Sequence, residues 1–186
     1  MRKNIIIAGS RPWVLKEFKT WVPPVGFKKY FISKKEDLTI ERLRRLKPRY
    51  VFFPHWSWFI PPEIYEEFEC IVFHMTDVPF GRGGSPLQNL IVRGIYRTKI
   101  SALRVVQELD AGPIYMKSSF DISRGSAEAL YEKATATVFR TMKDIIKRSK
   151  ININLHHNVA RSGTNLRTFE VVGSGGFLLV EYMPHL

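Results

Sequence analysis

One histidine stands where a buried strand is expected to end and a glycine-rich loop begins. The run Cys70–Phe73 is short and apolar, which is typical of a buried strand, and His74 follows it directly. The loop beyond contains three glycines and Arg82, and it ends in Ser85 and Pro86, a pair suited to the cap and first position of a helix. Ligands bind at the carboxyl ends of strands in open α/β sheets. This histidine is therefore a candidate for proton transfer near neutral pH, and a structural histidine is the alternative.

Polar and aromatic residues also follow two other predicted strands. Asn4–Ala8 predicts a central first strand, with Arg11 and Trp13 just beyond its carboxyl end. Arg49–Phe53 predicts a third strand, and a loop rich in aromatic residues, HWSWFIP, follows at residues 55–61. These aromatics either pack over the edge of the sheet or form a wall for a flat ring or a sugar.

The elements that must position these residues alternate between strands and helices. Phe27–Ile32 predicts another strand. Helices are expected to end near Thr20 and to cover Leu38–Leu46, Pro62–Phe68, Leu87–Gly94 and Ser126–Lys147. Lys99–Val106 and Pro113–Phe120 predict an antiparallel pair, because the turn between them, which contains Asp110, is too short for a crossover helix. The pattern predicts an α/β fold with a mostly parallel central sheet and antiparallel strands towards the C-terminal half.

Composition and charge limit the classes of function. The chain has 186 residues and a formal net charge of +12, which favours an anionic ligand; a lysine-rich soluble surface is the alternative. Arginines and lysines at 42–47 are interpreted as the solvated face of a helix rather than a nucleic-acid patch. The single cysteine excludes an internal disulfide framework, and no zinc or other metal site is predicted. No apolar run reaches the ~18 residues of a membrane span, so a cytoplasmic protein is expected.

Two segments together resemble a known family. The stretch CIVFHMTDVPFGRGGSPLQ is similar to the signature C-I-N-x-H-x-S-L-L-P-x-x-R-G-x-x-P-I-Q of formyltetrahydrofolate-dependent formyltransferases. The matching residues are Cys70, Ile71, His74, Pro79, Arg82, Gly83, Pro86 and Gln88. The segment from Thr98 to Ile114 resembles the same family's second motif, which ends in D-x-G-P-I and aligns Asp110 with the catalytic aspartate.

The resemblance implies a Rossmann-like formyltransferase fold and transfer of a formyl group from 10-formyltetrahydrofolate to an amine, with tetrahydrofolate as product. It implies that His74 is the general base and that Asp110 orients it. The family's asparagine, expected to hydrogen-bond the formyl oxygen, is replaced by Val72. Because valine has no donor, we expect a supplementary donor from His55 or Ser57; Thr76, a backbone N–H or protonated His74 are alternatives.

The combination of PHWSW with the first motif looks most like the subgroup that formylates nucleotide-linked amino sugars, including those related to pseudaminic acid synthesis. Relatives that act on methionyl-tRNA carry an additional C-terminal domain, whereas glycinamide ribonucleotide is a further possible amine. A non-catalytic nucleotide-sugar-binding protein and a nucleic-acid-binding protein are the alternatives from other classes, the latter disfavoured. The expected folate-binding residues are His55, Trp56, Ser57, Trp58, Phe59, Leu109 and Gly112. The expected substrate-binding residues are Arg11, Trp13, Arg82, Gly83, Gly84 and Arg93.

The last segment of the chain departs from this family. We expect a catalytic domain over residues 1–150 and a short extension over 151–186. Within the extension, GTNLRTFEVVGSGGFLLVEY resembles the nucleotide-sugar-binding segment of group 1 glycosyltransferases, with Arg167 and Glu170 at the positions that would hold donor phosphate and ribose. We interpret the extension as a truncated or fused remnant of such a domain. Its His156–His157 pair is not expected to bind a metal, because adjacent strand residues point to opposite faces.

Overall fold

A computed structural model of the chain describes residues 2–148, 151–154 and 177–180. Six strands form one sheet: β1 Lys3–Ala8, β2 Phe27–Ile32, β3 Pro48–Phe53, β4 Cys70–His74, β5 Arg97–Arg104 and β6 Ile114–Asp121. Their order is β2-β1-β3-β4-β5-β6. The first four pair in parallel, and β5 and β6 join antiparallel. The predicted α/β fold with a mixed sheet is therefore confirmed.

Five α-helices and one short 3₁₀ segment accompany the sheet over residues 2–148. They are α1 Pro12–Thr20, the 3₁₀ turn Lys35–Asp37, α2 Ile40–Leu46, α3 Pro62–Glu67, α4 Pro86–Val92 and α5 Ala127–Arg148. The helix α2 starts two residues later than predicted, because the side chain of Thr39 accepts a hydrogen bond from the Arg42 N–H and so caps the helix. It ends at Leu46 and is capped by Lys47, whose backbone is left-handed.

The central strands are buried because β-branched and aromatic residues fill both of their faces. Ile5, Ile6 and Ile7 are fully buried. On one face, Phe53 and Cys70 belong to a core cluster that also contains residues of α2 and α3. Burial raises the pKa of the Cys70 thiol, so the thiol stays protonated and unreactive near neutral pH. A continuous apolar run is what a strand covered on both sides requires.

By compactness the chain divides into the units Met1–Lys143 and Asp144–Leu186. In the second unit β7 (Ile151–Asn154) pairs in parallel with β8 (Phe177–Val180). Arg167, Glu170 and the pair His156–His157 lie outside the described residues. Among the described helices, none has the length and apolar character needed to cross a membrane.

Lys29 on β2 fixes the carboxyl end of α1. Its Nζ donates to the carbonyl oxygens of Phe18 and Trp21, the latter at 2.5 Å, and reaches that of Lys19 at 3.5 Å. Partial burial lowers the pKa of this amine. These carbonyls have no partner within the helix, so the lysine supplies the donor that the helix end lacks.

We expect Lys29→Met to lower the free energy of unfolding by ~1–3 kcal/mol, because it leaves helix-end carbonyls without a donor. Urea unfolding followed by circular dichroism measures the change. The control is Lys28→Met, since Lys28 is exposed and lies over the Tyr30 ring; it should change stability by no more than ~0.5 kcal/mol. Equal losses in both variants would contradict the capping role.

Candidate active site

His74, the last residue of β4, lies against Asp110 from the loop between β5 and β6. His74 Nδ1 is 3.2 Å from Asp110 Oδ2, and both side chains are largely buried. The loop folds back tightly at Gly112, where a Cβ atom would lie 1.9 Å from the Arg104 carbonyl oxygen. Only glycine fits this close approach. The two segments singled out by sequence thus meet in one site, and Gly112 shapes the turn that brings Asp110 to the histidine.

The glycine-rich loop closes over this pair with its backbone. His74 Nε2 lies 2.7 Å from the Gly81 carbonyl oxygen, and the Gly83 N–H donates to Asp110 Oδ2 at 3.1 Å. Gly81 and Gly83 have φ values of +69° and +99°, which turn these groups inward. Because a carbonyl oxygen only accepts, Nε2 must donate to it. Both ring nitrogens therefore face acceptor oxygens, and a ring that carries two protons satisfies both contacts.

The start of this loop is anchored more firmly than its middle. Asp77 binds Lys117 at 2.5 Å and Lys99 at 2.9 Å, and these hydrogen bonds hold the pKa of its carboxyl below the usual range. Lys117 also donates to the Val78 carbonyl at 2.6 Å. Beyond this anchor, most residues from 79 to 85 are exposed. Little apolar burial therefore holds the part of the loop that contacts His74.

Ser85 precedes α4 as predicted, but its side chain does not cap the helix. Its backbone is left-handed, and its side chain makes no capping hydrogen bond. The Asn89 side chain instead donates to the Gly84 carbonyl at 3.1 Å and ties the loop to α4. The expected cap chemistry is wrong at this position because the chain enters the helix from a tight glycine turn.

Val72 offers no side-chain donor at the position where the family's asparagine is expected. Val72 lies two residues before His74 and packs with Trp56 and Val105 against the core cluster. The substitutes expected for the formyl oxygen are already engaged. His55 Nε2 is 2.9 Å from Thr135 Oγ1, Ser57 Oγ is 3.2 Å from Ser10 Oγ, and Thr76 Oγ1 faces the Gly81 carbonyl. Each of these side chains thus has a partner within the chain, and the expectation that His55 or Ser57 supplies the donor stays a prediction.

The aromatic loop after β3 divides into a packed part and an exposed part. Trp56 meets Phe53 and Trp58 edge to face, with ring centroids 5.8 and 4.9 Å apart. Trp58 is 40% exposed and Phe59 90%. Trp56 therefore packs over the sheet, whereas Trp58 and Phe59 are exposed and their role as a wall for a ligand stays a prediction.

The predicted substrate residues fall into two groups. Arg82 and Arg93 line one small cavity of about 80 Å³ between the glycine-rich loop and α4, together with Asn89. Gly83 and Gly84 lie in that loop, where Gly83 contacts Asp110. Arg11 and Trp13 belong to a separate group at the end of β1, where the Trp13 indole stacks on the Tyr131 ring.

Sequence reasoning missed the residues of α5 at this edge of the sheet. Gln88 Nε2 donates to the Tyr131 hydroxyl at 2.8 Å, which joins α4 to α5. Thr135 lies one turn further along α5 and contacts His55. The spacing of Tyr131 and Thr135 places both on one face of the helix, which is the signal that could have identified them. Among the described residues, no group of three or more His, Cys, Asp or Glu side chains could hold a metal ion.

Comparisons with known proteins find formyltransferases among the chains that are similar to this one. Methionyl-tRNA formyltransferase from Rickettsia felis is 25% identical over 148 residues, 73% of this chain and 49% of the relative. The enzyme of the same name from Nitratiruptor is 30% identical over 128 residues, 62% of this chain and 42% of the relative. The chain thus spans less than half the length of these curated relatives. A family model described as glycosyl transferase-like matches residues 125–186.

Solved structures with a similar fold are also formyltransferases. Methionyl-tRNA formyltransferase from Clostridium thermocellum is 43% identical, with a TM-score of 0.72, over 80% of this chain and 66% of that chain. Phosphoribosylglycinamide formyltransferase from Anaplasma phagocytophilum shares the fold at 18% identity and a TM-score of 0.60, over 83% of this chain and 91% of that chain. Sequence, fold and the paired motifs therefore place the chain in the formyltransferase family.

Proposed function

We propose that the chain is an N-formyltransferase that moves a formyl group from 10-formyltetrahydrofolate to the amine of a nucleotide-linked amino sugar. The observation that carries the proposal is the contact of His74 with Asp110 at the carboxyl end of β4. A histidine with a carboxylate at one ring nitrogen can exchange protons with a substrate and is stabilised when charged.

The donor is proposed from a related structure and from exposed apolar side chains. HypX from Aquifex aeolicus, solved in complex with tetrahydrofolic acid, has this fold at 19% identity and a TM-score of 0.70. In this chain Trp58, Phe59 and Leu109 are large apolar residues with 40, 90 and 56% exposure. They are suited to contact the flat ring of a folate. Among the other expected folate-binding residues, Gly112 shapes the loop between β5 and β6, and Trp56 packs on Phe53 and Trp58. The side chains of His55 and Ser57 contact Thr135 and Ser10.

In formyl transfer the amine attacks the formyl carbon and loses a proton, and N10 of the folate gains a proton as it leaves. His74 and Asp110 form the proton-transfer pair of the proposed reaction. Nε2 carries a proton while it donates to the Gly81 carbonyl, so it can accept the proton of the amine only after giving that proton away. Once released from Gly81, Nε2–H can donate to the formyl oxygen in place of the asparagine that Val72 replaces and then pass its proton to N10 of the folate, after which Nε2 takes the proton of the amine. Release of the Gly81 carbonyl is therefore part of the proposed reaction cycle.

An amine on a nucleotide-linked sugar is supported by charge at the mouth of the site. Arg82 and Arg93 face one cavity and can bind a diphosphate, and Arg11 adds a third cation at the end of β1. Methionyl-tRNA is a second candidate amine, favoured by the names of the relatives and by the net charge of +12. Non-catalytic binding of a nucleotide sugar is the remaining alternative, favoured by the loss of the donor at Val72.

We propose further that a catalytic domain covers residues 1–150 and that residues 151–186 are a segment related to glycosyltransferases, in which Arg167 and Glu170 would contact the nucleotide sugar. The match of the glycosyl transferase-like family model to residues 125–186 supports this origin. The match also includes all of α5, so the similarity begins just before the helix that carries Tyr131 and Thr135.

Incubation with 10-formyltetrahydrofolate and UDP-, CMP- or TDP-linked 4-amino sugars should yield an N-formyl product, detected by mass spectrometry, and methionyl-tRNA should yield none. His74→Gln should lower kcat by ~10²–10⁴-fold, as expected when acid–base catalysis is lost. Asp121→Asn is the control, because Asp121 is exposed and its side chain binds the Ser123 N–H; its rate should be unchanged. If only methionyl-tRNA is formylated, the proposed amino-sugar substrate is wrong. If an amino-sugar nucleotide binds but no product forms, the proposal that the chain is an enzyme is wrong.

Gly81→Ala should displace the carbonyl that holds His74. The new Cβ would lie 2.9 Å from Thr76 Cγ2, at a φ of +69° that side chains disfavour. We expect the Nε2–H signal of His74, seen by proton NMR in the wild-type chain, to be lost in this variant. Gly84→Ala should keep the signal, since its Cβ would have no neighbour within 4 Å and its φ is not positive. Retention of the signal in both variants would show that Gly81 does not hold the ring.

A further inference from the structure

A second histidine lies at the same edge of the sheet as His74. Phe53, the last residue of β3, is level with Val72 on β4, so His55 and His74 each follow this pair by two residues. His55 has a φ of +49°, which is uncommon for a residue with a side chain. Backbone angles of this kind concentrate at functional sites. The mechanism described above does not use this residue.

The ring of His55 is held in place from three sides. It meets Trp13 and Tyr131 edge to face, with centroids 6.2 and 5.9 Å apart. Its Nε2 contacts Thr135 Oγ1 at 2.9 Å, and Ser10 Oγ donates to its carbonyl oxygen at 3.2 Å. Because the His55 ring is held in this way, its second nitrogen, Nδ1, has a defined direction.

The hydrogen bonds around Thr135 determine the tautomer of His55. Thr135 Oγ1 donates its single proton to the Tyr131 carbonyl at 2.8 Å. The same oxygen must therefore accept from His55, so Nε2 carries the proton. Burial, together with the nearby Arg11 guanidinium, lowers the pKa of His55 to about 4, which keeps the ring neutral at pH 7. Nδ1 is then a lone-pair acceptor.

This acceptor has no partner among the residues that the structure describes. The hydrogen bonds of residues 2–148 leave Nδ1 unbonded, and it is not among the buried polar atoms without a partner, which are the Nε1 atoms of Trp13, Trp21 and Trp56. The nitrogen therefore reaches solvent. A neutral acceptor close to a guanidinium suits a ligand that presents an N–H donor near an anionic group, such as a phosphate-bearing amine.

We propose that His55 Nδ1 accepts a hydrogen bond from the amino group of the substrate while Arg11 binds the substrate's phosphate. The assignment rests on the proposed formyl transfer and adds a substrate-orienting residue to it. It gives the two histidines different tasks. His74, which lies between two acceptor oxygens, transfers the protons of the reaction, and His55, held neutral, orients the attacking amine. Thr135 is a positioning residue, because it acts only through His55.

The test begins with the ligand-free chain and needs no activity. Long-range ¹H–¹⁵N NMR should show His55 at pH 7 as the neutral tautomer with its proton on Nε2, and Thr135→Val should give a mixture of tautomers. Thr141→Val is a matched control, since Thr141 is also buried on α5, donates to the carbonyl four residues earlier, and pairs with Ser118 rather than a histidine. It should leave the His55 signals unchanged. A proton on Nδ1 in the wild-type chain would overturn the proposal.

Kinetics with a 4-amino sugar nucleotide then separate the amine from the folate. His55→Phe keeps the aromatic packing but has no ring nitrogen, so it should raise KM for the amine at least ~10-fold and leave KM for 10-formyltetrahydrofolate unchanged. Unchanged amine kinetics would refute the role of His55 and leave the proposed function standing. If the wild-type chain formylates no amine, the proposed function fails. In that case the inference is tested by the ¹⁵N chemical shift of His55 Nδ1, measured after adding a UDP-linked 4-amino sugar and after adding UDP alone. A larger change with the amino sugar supports the inference, and equal changes refute it.

Discussion

The contact between His74 and Asp110 joins parts of the chain that the sheet alone would not bring together. His74 belongs to the last parallel strand, and Asp110 lies in the loop of the antiparallel pair that follows. The antiparallel register places Arg104, the last residue of β5, beside Ile71 of β4, so the loop that follows folds back to bring Asp110 to His74. The glycine-rich loop depends on the same pair, because its backbone donates to the aspartate and accepts from the histidine. These contacts together close the glycine-rich loop over the pair.

The two ends of the glycine-rich loop are held more firmly than its middle. The anchor of Asp77 with Lys99 and Lys117 fixes the start of the loop, and Asn89 holds its end. Between these points the loop buries little apolar surface, so breaking its two backbone contacts with His74 and Asp110 costs less than unfolding an element of the core. A substrate that supplies its own acceptor to Nε2 could replace the Gly81 carbonyl at little net cost. Firm ends and a lightly held middle thus suit a site that must exchange an internal partner for a ligand.

The sequence predicted the elements and the central pair well, and for physical reasons. Apolar runs bounded by glycine and proline mark buried strands, so β2 and most other elements lie within two residues of their predicted bounds. The pairing of His74 with Asp110 came from the family resemblance of two motifs. The direction of the Gly81 carbonyl could not be predicted, because it depends on left-handed backbone angles that glycine permits but does not require. The same holds for Ser85, whose type suggested a cap that its left-handed backbone does not make.

The environment of His55 shows a different limit. In sequence it is one polar residue in an aromatic loop, and a donor was expected there. Its proton is instead fixed by Thr135, which is far away in the chain and whose own proton is bound by Tyr131. Whether an imidazole donates or accepts is decided by such remote partners. The substrate is equally difficult to predict from the sequence, because the arginines at 11, 82 and 93 come from separate segments of the chain.

A double-mutant cycle on formyl transfer tests most directly whether His74 and Asp110 act as one unit. The rates of His74→Gln, Asp110→Asn and the double variant would be compared with that of the wild-type chain. If the pair is the catalytic unit, the second substitution should add little to the loss caused by the first, because each already removes the same function. Independent losses that multiply in the double variant would contradict the account.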